Sequence, residues 1–243
     1  MLVAVLSDIH GNRHALEAVL EDVRAHEATD LWCLGDVVGY GGDPNDCVAL
    51  VREHAPICLA GNHDLAVTGE LPLDDFSRSA ALAAHWTRSV LEPEHMEFLR
   101  ALAPEGSVGA LGLYHGSPRD PVWEYVLSSL LAELCFDETD HRISFIGHSH
   151  IALAFRRLPD EPAAGARRAG GDEEDLLRGE WLLNPGSVGQ PRDTDPRAAW
   201  LLLDTDDGRA RWMRTEYDVA GAQAAIREAD LPETLAERLA YGQ

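Results

Sequence analysis

The sequence predicts an α/β protein built around a parallel β-sheet with helices on its faces. Three apolar runs, residues 2–6, 31–34 and 57–60, have the length and composition of buried strands. Helix-like segments separate them, and parallel strands with right-handed crossovers form in this β-α-β-α-β order. The chain has 243 residues, 45% of them hydrophobic, so we expect one domain, 1–243, with a substantial buried core.

The helices are predicted from apolar spacing and from capping residues. Apolar residues recur at helical intervals between Asn12 and about Ala25. A second helix should begin at Asp43, which would be its N-cap, with Pro44 at the first helical position. Further helices are expected at 75–90, 94–102 and around 124–136, and further strands near 107–114 and 142–146.

The sequence after residue 150 is rich in strand-like runs. Strands are predicted at 151–158, 180–183, 198–203 and 210–215, and they would form a second sheet or continue the first one, packed face to face on it. The segment 159–179 contains two prolines, four glycines and mixed charges, with little to bury. We interpret it as a surface hairpin loop, and a tolerated insertion is favoured over a substrate lid.

The charge balance disfavours one class of partner. Lys plus Arg is 20 and Asp plus Glu is 42, so the formal net charge is −22. So acidic a chain would repel a nucleic-acid backbone at long range, and an extended nucleic-acid surface is not expected. A small phosphorylated substrate remains compatible, because bound metal ions supply a local positive charge that outweighs a diffuse field.

The cysteines and the N-terminal residues bear on location. The four cysteines form no CxxC pair, which argues against a disulfide scaffold and for a reducing compartment. The run Met1 to Leu6 lacks the basic region of a signal peptide. No apolar stretch approaches the ~20 residues of a membrane span. We therefore expect a cytoplasmic protein with no membrane partner, and nothing in the sequence indicates an oligomer.

Residues of metal-ligand type follow the end of each predicted parallel strand. The groups are Ser7-Asp8-Ile9-His10, Gly35-Asp36, Gly61-Asn62-His63-Asp64, His115-Gly116 and Gly147-His148-Ser149-His150. In an open α/β sheet the carboxyl ends of the strands lie along one edge, where ligands bind. Taken singly, Asp8 could be a helix cap and Gly35-Asp36 an ordinary turn. Five such endings at one edge favour a functional site.

The residue types in these groups indicate which metals would bind. Asp8-x-His10 and His148-x-His150 would place two ligands on one side of an extended segment. Histidine and aspartate with one asparagine suit Mn, Fe, Zn, Co or Ni, whereas oxygen ligands alone would suit Mg or Ca. Two such ions about 3.5–4 Å apart can share a carboxylate and act together on a phosphate ester.

The five groups resemble the motif blocks of the calcineurin-like metallophosphoesterase superfamily over residues 8–150. Asn184-Pro185-Gly186-Ser187 with Pro191-Arg192 is similar to its small bacterial and archaeal phosphodiesterase branch. The resemblance implies a β-sandwich flanked by helices and a site for two divalent metal ions, with manganese expected. One ion would be held by Asp8, His10, Asp36 and His150. The other would be held by Asp36, Asn62, His115 and His148, so that Asp36 bridges the two.

The resemblance also implies catalytic roles and shows one departure. His63 would protonate the leaving oxygen, and Asp64 would orient the His63 imidazole. In the protein phosphatase branch an arginine that clamps phosphate follows the Gly-Asp block, but Tyr40 stands in that place here. We take Tyr40 as substrate-facing, with Arg192 as the first candidate for the phosphate-binding cation and Arg13 as the second. For both arginines a solvated surface role is an equal alternative.

These observations favour a metal-dependent phosphoesterase that acts on small phosphodiesters, with phosphomonoesters as a further class. The alternatives are a nucleotide polyphosphate hydrolase or a phosphoprotein phosphatase. A non-catalytic scaffold of the same fold is less favoured. The retromer subunit that serves as such a scaffold lacks the histidine of the Asn-His-Asp block, whereas His63 is present here.

Overall fold

The computed structural model describes residues 1–243 and contains two six-stranded sheets. The strands of the first sheet lie in the order β3 (Ile57–Cys58), β2 (Asp30–Cys33), β1 (Leu2–Leu6), β11 (Ala198–Asp204), β12 (Arg209–Thr215) and β9 (Glu173–Asp175). Those of the second lie in the order β4 (Glu105–Val108), β5 (Leu111–Tyr114), β6 (Ile143–Phe145), β10 (Glu180–Asn184), β7 (Leu153–Arg157) and β8 (Ala164–Arg167).

Each sheet has a parallel part and an antiparallel part. In the first sheet β1, β2 and β3 are parallel, and in the second β5, β6 and β10 are parallel. The remaining neighbours are antiparallel. The first three strands are therefore parallel, as predicted. The later strands of the chain complete both sheets.

Helices flank the two sheets. They are α1 (Arg13–Ala25), α2 (Pro44–His54), α3 (Asn62–Thr68), α4 (Arg78–Val90), α5 (Pro93–Arg100), α6 (Ser129–Glu138), α7 (Val219–Glu228) and α8 (Glu233–Glu237), followed by a 3₁₀ helix, Arg238–Ala240. None of them combines the length and the apolar character that crossing a bilayer would require. The fold is thus the predicted α/β sandwich with helices outside.

Strand β1 explains why its sequence is a continuous apolar run. Val3 and Val5 are buried between the two sheets, whereas Ala4 and Leu6 are buried beneath the helices. A strand that is covered on both faces has no position for a polar side chain. The apolar run ends at Leu6, directly before Ser7 and Asp8.

The predicted starts of the first two helices agree with the structure. The side-chain oxygen of Asn12 accepts a hydrogen bond from the backbone N–H of Ala15 and so caps α1. Helix α2 begins at Pro44, as predicted, and Asp43 is its N-cap residue, although the Asp43 side chain makes no capping hydrogen bond. Both helices bury their apolar faces in the same cluster as Ala4 and Leu6.

Five elements differ from the prediction. The strand expected at 107–114 is a hairpin of β4 and β5, and Gly109 turns the chain with a positive φ of 58°. The helix expected around 124–136 begins only at Ser129, because the chain before it forms an irregular loop. Helix α3 and the C-terminal pair α7 and α8 were not predicted.

The segment 159–179 is not a hairpin that pairs with itself. Its strand β8 pairs with β7 in the second sheet, and its strand β9 pairs with β12 in the first. Leu176 is fully buried between the sheets, so the segment buries more than its composition suggested. Backbone pairing to two sheet edges compensates for its few apolar side chains. The segment lies largely at the surface, but it forms strands of both sheets in place of a self-paired hairpin loop.

Candidate active site

The loops after the parallel strands bring the seven predicted ligands together, and all seven are buried. From the first sheet come Asp8 and His10 after β1, Asp36 after β2 and Asn62 after β3. From the second sheet come His115 after β5 and His148 and His150 after β6. The site therefore lies where the two sheets meet.

Five of these residues have left-handed backbone conformations, with φ between 51° and 61° at Asp8, His10, Asp36, His148 and His150. Non-glycine residues rarely adopt this region, and each instance costs of the order of 1–3 kcal/mol. The expectation of extended Asp-x-His and His-x-His segments was therefore wrong. The turns are held by backbone hydrogen bonds between loops, such as those from the Asp8 and His10 amides to the carbonyls of Gly35 and Asp36.

The first group of donor atoms belongs to Asp8, His10, Asp36 and His150, and all lie within 4.8 Å of one another. The Nε2 atoms of His10 and His150 are 3.0 Å apart. Asp8 Oδ1 is 3.4 Å from His150 Nε2, and Asp36 Oδ2 is 3.6 Å from His10 Nε2. These distances place four donors around one point.

The second group contains Asp36, His115 and His148, again within 4.8 Å. Asn62 joins it, because Asn62 Oδ1 is 3.2 Å from His115 Nε2. Asp36 Oδ2 lies 3.5 Å from that same nitrogen, while Asp36 Oδ1 accepts a hydrogen bond from the His63 amide at 2.8 Å. One carboxylate oxygen of Asp36 is thus anchored and the other faces both donor groups.

Backbone carbonyls fix the orientation of three ligand imidazoles. His10 Nδ1 lies 3.1 Å from the oxygen of Val38, and His115 Nδ1 lies 2.9 Å from that of Leu34. His150 Nδ1 lies 2.6 Å from the carbonyl oxygen of Gln190. A carbonyl can only accept, so each Nδ1 carries the proton and each Nε2 presents a lone pair to the centre, as metal-binding histidines do.

Several atoms at the centre lack the partners that buried polar atoms normally have. Asp8 Oδ1, Asp36 Oδ2 and His148 Nε2 are buried without a hydrogen bond. Burial raises the pKa of Asp8 to about 7 and lowers the pKa of His148 well below its usual value. A divalent cation would pair with these atoms and offset the burial of charge. The residues therefore fit a metal site, and the nitrogen and oxygen donors suit a transition metal.

Asp64 makes no hydrogen bond with the His63 imidazole, which corrects the expected orienting role. Its carboxylate accepts hydrogen bonds from the amides of Val37, Val38 and Gly61 at 3.2, 3.1 and 2.9 Å. Asp64 is the third residue of α3, and from there its side chain turns back to the helix start and the neighbouring loop. Asp64 therefore fixes the backbone of the loops that carry Asp36 and Asn62. It does not orient the His63 ring.

Aromatic packing holds the His63 ring. The Tyr40 ring lies 4.4 Å from it, the His10 ring 4.8 Å and the Phe76 ring 5.1 Å, between centroids. His63 Nδ1 is buried without a hydrogen bond. Burial, followed by the charge of Arg192, lowers the pKa of His63 to about 3. The imidazole is therefore neutral in the free protein near pH 7.

Of the three predicted substrate-binding residues, two line a cavity of about 270 Å³ above the centre. Tyr40 forms part of its wall, and the Arg192 guanidinium lies 5.8 Å from the Tyr40 ring and donates a hydrogen bond to Gln190 Oε1 at 2.9 Å. Arg13 does not line the cavity. It lies within 4.0 Å of carboxylates of Glu17, Asp43 and Asp46 at the starts of α1 and α2, so its assignment to the substrate was wrong.

The cavity is also lined by residues that had no signal in the sequence, among them Phe76, Trp123, Tyr125 and Arg238. Tyr125 stacks on His148 with ring centroids 4.1 Å apart and planes at 20°. Phe76 and Trp123 contact each other edge to face. These residues come from irregular loops and from the 3₁₀ helix, where no periodic pattern exists to indicate which side chains face inward.

A family model, the calcineurin-like phosphoesterase superfamily domain, matches residues 1–208 of this chain. The chain belongs to this superfamily. The match includes all seven ligand residues, His63 and Arg192, and stops before the C-terminal helices α7 and α8. The members of this superfamily use divalent metal ions, and the donor groups of this chain fit that chemistry.

Relatives that match this chain over all of its residues occur in bacteria and archaea. The crystal structure of a metallophosphoesterase from Sphaerobacter thermophilus is 43% identical, with a TM-score of 0.91 over 100% of this chain and 99% of that one. An uncharacterized protein of Methanocaldococcus jannaschii, MJ0912, is 36% identical over 100% of this chain and 98% of its own length. The hypothetical protein PH1004 of Pyrococcus horikoshii is 19% identical, covers 100% of this chain and 98% of its own, and shares the fold with a TM-score of 0.81.

Proposed function

We propose that this phosphoesterase hydrolyses small phosphodiesters, and phosphomonoesters as a further class, with water activated at a binuclear metal centre. The position of Asp36 Oδ2 supports this most directly. That atom is buried without a partner and lies within 3.6 Å of ring nitrogens from both donor groups. Two divalent ions, proposed to be manganese with Fe, Zn, Co or Ni as alternatives, would activate the attacking water and neutralise charge on the phosphoryl oxygens.

The residues around the centre support distinct roles in that reaction. Arg192 presents a cation to the cavity and would bind a phosphoryl oxygen. His63 would donate a proton to the leaving oxygen. Because the charge of Arg192 contributes to the low pKa of His63, a phosphate anion beside Arg192 would raise that pKa again. His63 would therefore act as the general acid only after the substrate has bound.

The leaving group provides the test of this function. An alkoxide is a strong base and needs a proton in the transition state, whereas a nitrophenolate is already a stable anion. We expect His63→Ala to lower turnover of alkyl esters by most of the ~10²–10⁴-fold that general acid catalysis contributes. The loss on p-nitrophenyl esters should be much smaller. Rates of the Mn²⁺-loaded wild type and variant on both ester types give the two ratios.

The matched control is His54→Ala, because His54 lies at the end of α2 and does not line the cavity. Metal content of each preparation is measured alongside. Equal losses on both ester types, with metals retained, would falsify the general-acid role and leave His63 as a phosphate-binding residue. If the metal-loaded wild type hydrolyses no ester, the scaffold alternative returns.

The alternatives within the same chemistry are a nucleotide polyphosphate hydrolase and a phosphoprotein phosphatase. The cavity of about 270 Å³ is bordered by Phe76, Trp123 and Tyr125, which favours a small ester over a protein surface. With a net charge of −22, we propose neither an extended nucleic-acid partner nor a membrane partner. The four free cysteines support a cytoplasmic location.

A further inference from the structure

The C-terminal part of the chain, from Val219 to Gln243, lies beyond the residues that the family model matches and packs against the active site. Helices α7 and α8 and the 3₁₀ helix bury a cluster that includes Ile226, Leu235 and Leu239 together with Ala83 of α4. The Tyr40 ring is partly buried against the same cluster. This C-terminal cap therefore supports one wall of the cavity.

Two close backbone contacts tie the cap to loops of the site. A Cβ added to Gly42 would meet the carbonyl oxygen of Ala225 in α7 at 2.4 Å, so the Tyr40 loop lies directly on that helix. At the other end, the Thr194 amide donates a hydrogen bond to the Gly242 carbonyl at 3.0 Å. The cap is thus fixed next to both Tyr40 and Arg192.

Arg238, in the 3₁₀ helix of the cap, is half-buried and lines the cavity with Arg192. Its Nε donates a hydrogen bond to the main-chain oxygen of Gln243, and its two terminal nitrogens make no hydrogen bond. Asp36 and Asp75 also line this cavity, but neither carboxylate forms an ion pair with Arg192 or Arg238. Arg192 Nε is buried without any hydrogen bond.

Two cations that face one cavity repel each other unless an anion lies between them. Burial and the charge of Arg192 lower the pKa of Arg238, which is the signature of a cation in an unfavourable surrounding. Arg238 is therefore a second cation at this cavity, beside Arg192, that no carboxylate side chain of the protein pairs with. A substrate with a second anionic group would place that group beside Arg238.

We propose that Arg238 is a specificity residue that binds a second phosphate group of the substrate, while Arg192 binds the phosphate that is cleaved. This inference rests on the proposed phosphoesterase function and narrows its substrate class to phosphodiesters that carry an additional phosphate. The aromatic residues Phe76, Trp123 and Tyr125 line the same cavity and would contact the organic part of such a substrate.

A matched pair of substrates tests the role of Arg238. The first is the p-nitrophenyl ester of thymidine 5′-phosphate, and the second is the same compound with a 3′-phosphate. Both release nitrophenolate, so the test is insensitive to proton donation. We expect Arg238→Gln to lower the ratio of kcat/KM for the second ester to that for the first by about 10- to 100-fold, as for loss of a charged hydrogen bond. Most of the change should appear in KM.

Two further variants make this test specific. Arg238→Lys should keep part of the preference, because it retains the charge without the planar guanidinium. Arg227→Gln is the control, since Arg227 lies in the same cap but pairs with Glu233 on the surface. It should leave the ratio unchanged. Equal effects of Arg238→Gln on both esters would overturn the proposal.

A binding measurement separates this proposal from the proposed hydrolysis. Calorimetry on the Mn²⁺-loaded protein gives the affinities for inorganic pyrophosphate and for inorganic phosphate. Their ratio should fall in Arg238→Gln by the same order of magnitude, even if no ester is hydrolysed. Absence of hydrolysis with this fall would contradict only the proposed activity. An unchanged ratio would exclude Arg238 as a second-phosphate site.

Discussion

At the scale of single residues, the site concentrates conformations and contacts that a protein normally avoids. Three of its buried polar atoms, on Asp8, Asp36 and His148, have no hydrogen-bond partner within the protein, which fits the binding of a cation there. The same residues, with His10 and His150, have left-handed backbones. Strain of this kind persists only where the surrounding structure enforces it and is typical of functional sites.

Asp36 is the residue on which both donor groups depend. Asp36→Asn removes the shared negative charge but keeps the size of the side chain and tolerates the same left-handed backbone. We expect the affinity for both ions to fall by more than about 100-fold, since even outer-shell changes cost 10–100-fold. Elemental analysis after dialysis measures this. Asp160→Asn, at an exposed left-handed aspartate, is the control. Two ions retained in Asp36→Asn would remove Asp36 from the bridge.

Asp64 should behave as a structural residue in the same experiments. Asparagine offers one acceptor oxygen where the Asp64 carboxylate receives three backbone amides. We expect Asp64→Asn to lower the free energy of unfolding by about 2–3 kcal/mol, from lost charge-assisted hydrogen bonds. Urea denaturation measures this. Activity should fall equally on alkyl and nitrophenyl esters. A selective loss of activity on alkyl esters would show that Asp64 does orient the His63 imidazole.

The ligands could be predicted from the sequence because each one follows a recognisable buried strand. The substrate side could not, because arginines near strand ends look alike in sequence. Arg192 faces the cavity, whereas Arg13 pairs with Asp43 and Asp46 outside it. The left-handed backbone conformations could not be predicted either, since glycine is the residue type that routinely indicates such a conformation in a sequence. Arg238 lies in a 3₁₀ turn, where no pattern exists.

At the scale of elements, long periodic helices were predictable and short or contact-dependent ones were not. The buried stripe of α1 shows the 3.6-residue period that predicted it. Helix α3 has seven residues, all of them buried, so its sequence has no polar face to reveal it. Helix α7 buries Ala222 and Ile226 against α4 and α8, partners that only the tertiary structure brings near.

Gly61, the small residue between β3 and the ligand Asn62, has a physical reason in the structure. A Cβ at Gly61 would lie 2.0 Å from Asp36 Oδ1 and 2.5 Å from the Asp36 amide. Gly61→Ala should therefore displace the Asp36 carboxylate and reduce metal content, although Gly61 is no ligand. The control Gly106→Ala, in β4, meets nothing closer than 3.5 Å and should keep its metals. Normal metal content in Gly61→Ala would show that the Asp36 loop can shift to accommodate the added methyl group.

At the scale of the whole molecule, the site joins two sheets that otherwise meet through apolar packing. Trp32 and Leu201 of the first sheet pack against Phe145 and Trp181 of the second. The donor groups add a polar junction at one end of this interface. Asp8 and Asp36 come from the first sheet, and His115 comes from the second. Metal binding and folding should therefore be linked, because the unfolded chain has no such arrangement of donors.

Removal of metal tests this linkage. A ligand at 100 times its Kd stabilises the native state by about 2.7 kcal/mol, which for a chain of this size is a rise in Tm of roughly 5–10 °C. We expect chelation to lower the Tm of wild type by that amount and excess Mn²⁺ to restore it. Asp36→Asn should show little response to either treatment, while Asp160→Asn should respond as wild type does. Differential scanning calorimetry, with elemental analysis of each sample, measures both quantities. If chelation removes the ions and the Tm does not change, the donor groups do not contribute to holding the two sheets together.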